Sequence, residues 1–125
     1  MYKIGVDLVE VGRLARVFGE KPALQEKVFT PEELRYSRRK HYPFQHFAAR
    51  FAAKEAVFKA LGCGLSGDLD WRGVEVRNQR SGKPILRLSG TTGIKANDLG
   101  VVDSFVSMSH TEQYAIALVL LVVRN

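Results

Sequence analysis

Two carboxylates and a lysine carry the clearest hint of chemistry in this chain. Asp7 interrupts an apolar run, Tyr2–Val9, that otherwise reads as a strand with Ile4, Val6 and Leu8 on one face. Glu55 and Lys59 are four residues apart within FAAKEAVFK, so a helix sets them one turn apart on one side. Oxygen ligands from a strand and a helix suit Mg²⁺, which takes one or two carboxylates and leaves the rest of its shell to water and substrate phosphates. A lysine one turn from such a glutamate can neutralise a transferring phosphoryl group or protonate a leaving phosphate. Spacing alone favours a bland reading of the Glu55/Lys59 pair. An i,i+4 Glu/Lys pair is common on helix surfaces and is worth only about 0.2–0.5 kcal/mol. Asp7 also suits a strand end that caps whatever follows.

Other groups could bind anions. Gln79-Arg80-Ser81-Gly82-Lys83 joins two strand-like segments and sets positive charge beside backbone amides; it is either an anion clamp or a plain basic hairpin tip. His110, between Ser109 and Thr111, offers donors to a phosphate oxygen or simply faces solvent in a turn. Arg13 and Arg16 project together from a short helix over Glu10–Phe18, a docking patch for an acidic surface or a solvated face. Arg38-Arg39-Lys40 either binds phosphate or complements the negative end of a helix dipole.

The elements that must hold these groups are readable in outline. Phe44–Gly62 lacks internal Gly or Pro and closes on a glycine, which predicts a long helix with Phe44, Phe47, Phe51 and Phe58 as its core stripe. Ala48 and Ala52 leave room beside Glu55. Thr30-Pro31-Glu32-Glu33 is a capping box opening a helix to about Lys40, and Tyr42-Pro43 separates the two helices. Val74–Asn78 and Pro84–Leu88 read as hairpin strands, Thr91–Leu99 as a short helix ended by Gly100, and Val102–Ser109 as an alternating strand. His110–Gln113 then turns into Tyr114–Val123, apolar throughout and expected to be largely buried. The Gly-rich Cys63–Asp68 reads as a flexible connection without P-loop or dinucleotide-fold spacing.

Composition narrows the partners. The 125 residues suit one domain, 1–125, with 46% hydrophobic and 26% charged residues. A net charge of +6 implies an acidic partner: nucleic acid, a phosphorylated ligand or an acidic protein. The phenylalanines follow helix-core spacing rather than an exposed stacking platform, which weighs against nucleic acid. One cysteine, Cys63, forms neither an internal disulfide nor a zinc site by itself, so a cytoplasmic setting is the default. The N-terminus lacks signal-peptide layout, and Tyr114–Val123 is too short to span a bilayer.

Taken together, GVDLVEV (Gly5–Val11), RFAAKEAVFKALGCG (Arg50–Gly64), SGKP (Ser81–Pro84) and SMSHT (Ser107–Thr111) resemble, in order and interval, the holo-acyl-carrier-protein synthases, the single-copy bacterial 4′-phosphopantetheinyl transferases. The resemblance implies an α+β fold, with a three-stranded antiparallel sheet packed on a long central helix and shorter helices, assembled as homotrimers with sites at subunit interfaces. It also implies transfer of 4′-phosphopantetheine from coenzyme A to a serine of apo-acyl carrier protein, releasing adenosine 3′,5′-bisphosphate, in support of fatty acid biosynthesis. Asp7 and Glu55 would hold Mg²⁺, Glu55 would help deprotonate the serine, and Lys59 would stabilise the departing phosphate. Arg50, Lys54, Lys59, Gly82, Lys83, Pro84, Ser109, His110 and Thr111 would contact coenzyme A. Arg13 and Arg16 would dock the acidic carrier protein. Cys63 and Met108 are mild departures from the family pattern.

Overall fold

A computed structural model describes residues 1–63 and 69–125. The expected Gly-rich connection therefore lies mostly outside the described residues. The elements run β1 (Tyr2–Glu10), α1 (Val11–Glu20), α2 (Pro22–Val28), α3 (Pro31–Arg38), α4 (Pro43–Ala60), a 3₁₀ turn (Trp71–Gly73), β2 (Val74–Asn78), β3 (Pro84–Leu88), α5 (Gly90–Asp98), β4 (Val101–His110) and β5 (Tyr114–Val123). β1, β5 and β4 form one antiparallel sheet in that order, and β2 and β3 form a separate two-stranded hairpin. This is an α+β architecture with the three-stranded sheet and long helix that the resemblance implies.

The central helix lies against the sheet because its inner side is nearly all alanine. Ala48, Ala52, Ala53 and Ala56 are fully buried, so the backbones come close. Gly5 of β1 takes this to its limit: a β-carbon there would lie 1.9 Å from the Ala56 carbonyl oxygen. The aromatic stripe packs on the other side. Phe47 and Phe58 are buried, Phe29 meets Phe47 at 4.9 Å, and Phe51 stacks on Trp71 at 5.1 Å. Gly62, at φ +75°, ends the helix. Gly62 N–H donates to the Lys59 carbonyl and Cys63 N–H to the Phe58 carbonyl, the paired bonds of a Schellman cap.

The Thr30 capping box forms as expected, with Glu33 N–H donating to Thr30 Oγ1 and Thr30 N–H to Glu33 Oε1. Two expectations need correction. The helix α2 was not foreseen, although Pro22 stands at its first turn. The expectation of a largely buried Tyr114–Val123 holds for one face only. Ala115, Ala117, Val119, Leu121 and Val123 are buried against α4, while Ile116 and Leu118 are exposed. They share an open apolar sheet face with Ile4, Val6 and Leu8 of β1 and Phe105 of β4. A strand apolar on both faces normally has both faces covered; within one chain, only one is.

Candidate active site

β1 and α4 bring Asp7 and Glu55 to one cleft. The close approach at Gly5 sets strand against helix, and Asp7, two residues on, points to the same side. Lys59 Nζ donates to Asp7 Oδ1 at 2.9 Å and to the Val6 carbonyl at 3.1 Å. The Asp7 carboxylate is largely covered, whereas Lys59 is half-exposed. Burial pushes the Glu55 carboxyl above its ordinary value; the Asp7 charge adds to that push and Lys59 opposes it. A half-buried carboxyl with raised proton affinity is suited to accept a proton. These carboxylates line a cavity of about 490 Å³ together with Arg13 and the apolar Leu14, Val17, Phe18 and Phe51. Arg13 and Arg16 both stand on the exposed side of α1. Glu10, at the strand–helix boundary, makes no capping bond.

A second, basic cleft of about 680 Å³ opens between α3 and the hairpin. Arg39, Lys40, Arg77 and Arg80 line it, with Arg50, Asn78 and Gly82. Arg50 is buried, sits over the Tyr36 ring at 4.0 Å and donates to Asn78 Oδ1. Its Nε is one of two buried side-chain polar atoms among the described residues that lack a hydrogen-bond partner. Burial holds its pKa below the usual value, against the pull of Glu33 and Tyr36. An unmade donor at the floor of a cationic cleft fits an anion. Arg38, by contrast, turns to Gln25 at 3.0 Å.

Helical phase explains why there are two clefts. Five residues separate Arg50 from Glu55, which turns them about 140° apart around α4. Lys54 falls on the Arg50 side and is fully buried, paired with Glu33 at 2.7 Å. Burial works against its charge and Glu33 works for it. The structure places the Lys54 ammonium, one of the implied coenzyme A contacts, inside this chain, enclosed by Glu33 and by the Trp71 and Val74 carbonyls.

The remaining groups divide. In the hairpin tip, Gly82 has φ +93°, and its N–H donates to the Gln79 carbonyl while Gln79 N–H donates to the Lys83 carbonyl. The turn thus consumes amides that a backbone clamp would need, leaving side chains such as exposed Lys83 as the anion-binding groups. Pro84 begins β3. His110 ends β4 rather than lying in the turn, and its ring contacts His46 at 5.0 Å. Burial, together with His110, Arg50 and Lys40, lowers His46 to a pKa of about 4. Ser109 is exposed and pairs in register with exposed Ile116, while Thr111 Oγ1 accepts from Gln113 and Tyr114 N–H within its own turn. Tyr36, His46, Asn78 and Glu33 were missed as site residues. Tyr36 and Asn78 meet Arg50 across 14 and 28 residues, His46 meets His110 across 64 and Glu33 meets Lys54 across 21, and no local pattern announces those contacts.

The comparisons agree with this geometry along nearly the whole chain. A holo-[acyl-carrier-protein] synthase from Geotalea daltonii is 43% identical over 122 residues, covering 97% of this chain and 98% of that protein. The one from Geobacter sulfurreducens is 44% identical, covering 97% of each. The structure of an ACPS–CoA complex from Chronobacterium ammoniagenes superposes with TM-score 0.88 at 31% identity, covering 100% of this chain and 99% of that one. Helicobacter pylori holo-[acyl-carrier-protein] synthase in complex with coenzyme A superposes with TM-score 0.83 at 27% identity, covering 95% and 99%. Residues 3–119 match the 4′-phosphopantetheinyl transferase superfamily, and the chain belongs to it.

Proposed function

We propose that this chain is a holo-acyl-carrier-protein synthase, a single domain spanning residues 1–125. It moves the 4′-phosphopantetheine arm of coenzyme A onto a serine of apo-acyl carrier protein in the cytoplasm, in support of fatty acid biosynthesis. The observation that carries this reading is the Asp7–Lys59–Glu55 constellation, strand and helix facing one cleft, in a chain of this superfamily. The serine oxygen attacks the pantetheine-side phosphorus and gives its proton to Glu55, whose raised proton affinity suits the task. The phosphorus–oxygen bond within the pyrophosphate breaks, and adenosine 3′,5′-bisphosphate leaves with its charge met by Lys59.

The donor set fits Mg²⁺. Asp7 and Glu55 would hold it, and no third His, Cys, Asp or Glu among the described residues joins them to build an all-protein cage. When bound, Mg²⁺ supplies charge neutralisation at the pyrophosphate. The nucleotide end of coenzyme A fits the basic cleft, which Arg50 and Gly82 line; Lys83 and Pro84 follow Gly82, and Ser109, His110 and Thr111 stand at the end of β4 and in the turn after it. Arg13 and Arg16 present positive charge beside the Glu55 cavity, where an acidic carrier protein would bring its serine.

The assembly is a homotrimer. Two features support this. One sheet face exposes Ile4, Val6, Leu8, Phe105, Ile116 and Leu118 side by side, a contiguous apolar patch of the kind that marks an interface, and the two clefts face different sides of α4. A neighbouring copy covers the first and lets one chain's basic cleft serve another's carboxylates. No helix among the described residues is long and apolar enough to cross a membrane. The deciding experiment weighs apo-acyl carrier protein after incubation with the protein, coenzyme A and Mg²⁺. A phosphopantetheine mass gain that is lost in Asp7→Ala and Glu55→Ala is expected; no gain, or an equal gain in the variants, refutes the reading.

A further inference from the structure

The buried Glu33–Lys54 pair does more than a helix cap requires. Both side chains are 0% exposed. A capping box needs one glutamate oxygen, and Oε1 fills that job by accepting Thr30 N–H at 3.0 Å. Oε2 accepts the backbone N–H of Val76, in β2, at 2.9 Å. Lys54 Nζ donates to the Val74 carbonyl and, at 3.1 Å, to the Trp71 carbonyl. Among the described residues β2 pairs with β3 alone, and the ion pair occupies its other edge. A buried ion pair contributes little net stability, since desolvation offsets most of the attraction and apolar side chains would fill the space as well. Apolar side chains would not, however, hold three backbone groups at fixed positions.

We propose that Glu33 and Lys54 are positioning residues for the coenzyme A site: they lock β2, and with it the hairpin tip, onto α4 and α3. Two contacts carry the lock to the basic cleft. Arg50, one turn before Lys54 on α4, donates to Asn78 Oδ1 at the end of β2. Asn78 Nδ2 in turn donates to the Gly82 carbonyl at 3.0 Å. The lock thus runs from Glu33 through Val76 and Asn78 to the tip that carries Lys83. It leaves Asp7, Glu55 and Lys59 untouched, since these face the other side of the helix. The inference rests on the transferase reading above.

Glu33→Gln tests it, because the amide keeps the shape and one acceptor oxygen. KM for coenzyme A should rise about tenfold, with kcat and KM for the carrier protein within about twofold. Amide exchange at Val76–Asn78 should speed up about tenfold, with β1 and β5 unchanged. Unchanged KM for coenzyme A in the folded variant overturns the proposal. So does faster exchange spread evenly over both sheets, the mark of a merely structural loss. Should Glu33→Gln not fold, Glu33→Leu/Lys54→Met removes both charges of the pair at once and is read by the same criteria. In the native protein, Val76 N–H exchanging as fast as the exposed tip amides overturns the proposal without any variant. If the native protein transfers no phosphopantetheine, the transferase reading falls. The lock is then still decided by exchange alone: slow at Val76 in the native protein and locally fast in Glu33→Gln supports it, and any other pattern overturns it.

Discussion

Replacing Gly5 with alanine would drive a methyl carbon into the backbone of the central helix. The new carbon would lie 1.9 Å from the Ala56 carbonyl oxygen, 2.8 Å from its carbon and 3.0 Å from Ala60 N. A non-bonded carbon–oxygen contact needs about 3.3 Å, so strand and helix must part by about 1.4 Å from the observed 1.9 Å. No rotamer change relieves this, because every atom met is backbone. Overpacking a core by one methyl costs about 1–3 kcal/mol, and a backbone-on-backbone clash belongs at the upper end, about 3 kcal/mol. With about 2.1 cal/mol/K of unfolding entropy per residue, 125 residues convert that loss into a Tm drop of about 11 °C. Function should suffer more than stability does. Asp7 is two residues from the clash on β1 and Glu55 is adjacent to Ala56, so the two carboxylates are displaced relative to each other. A misplacement of about 1 Å at a reacting centre costs roughly 100-fold. The assay is kcat/KM for carrier-protein modification, measured well below the lowered Tm. Gly12→Ala is the control: a β-carbon there meets nothing within 4 Å, and both stability and activity should hold. A Gly5→Ala protein with native Tm and native activity would refute the close packing of β1 on α4 and the site geometry built on it.

Three further outcomes are expected. Glu55 binds its proton more tightly folded than unfolded, so its ionisation opposes folding as pH rises above its ordinary value of 4.5. Glu55→Gln should therefore exceed the native protein in stability at pH 7 and match it below pH 4.5 in urea melts; Asp7→Asn should lower the Glu55 titration, followed by carboxyl NMR, only in part, because burial, the larger cause, remains. His46 has the opposite sign: its folded pKa of about 4 lies below the ordinary 6.5, so native stability falls as pH drops through that window. His46→Phe should flatten that fall, and an unaltered pH–stability curve contradicts the burial assigned to His46. Ile4→Lys with Leu118→Lys charges the open sheet face; light scattering should show a trimer becoming monomers, and a native protein that is monomeric at micromolar concentration removes the trimer.

Local chemistry made much of the fold legible. The capping box at Thr30, the hairpin around Gly82, the break at Tyr42-Pro43 and the stop at Gly62 each act within a few residues, and each sits where the sequence places it. Pro22 announced a helix start as well, but α2 is only seven residues long and Leu24 and Val28 are its one apolar pair at helical spacing, too short a run to read as a period. The contacts that shape the basic cleft were illegible for a different reason. Glu33 meets Lys54, Arg50 meets Asn78 and His46 meets His110 across 21, 28 and 64 residues respectively, and only the packed chain juxtaposes them. Glu33 was further masked because the capping box already accounted for a glutamate at that position.

Lys54 is the instructive residue. It lies inside the KExxxK run beside Glu55, and adjacency in a motif invites adjacency in role. Helix geometry says otherwise, since neighbouring residues point about 100° apart while residues four apart differ by about 40°. Arg50 and Lys54 therefore share one face, and Glu55 and Lys59 share another. The structure gives those faces different tasks: the first anchors the hairpin and floors the basic cleft, and the second meets Asp7 across the strand. Placing both sets on one rigid helix fixes their separation without placing them in one cavity. A substrate long enough to need phosphate contacts at one end and proton transfer at the other must then span the two faces, within one chain or between neighbouring copies. The alanines and Gly5 that hold α4 against the sheet keep that span constant, which makes them as consequential for the chemistry as the charged residues they carry into place.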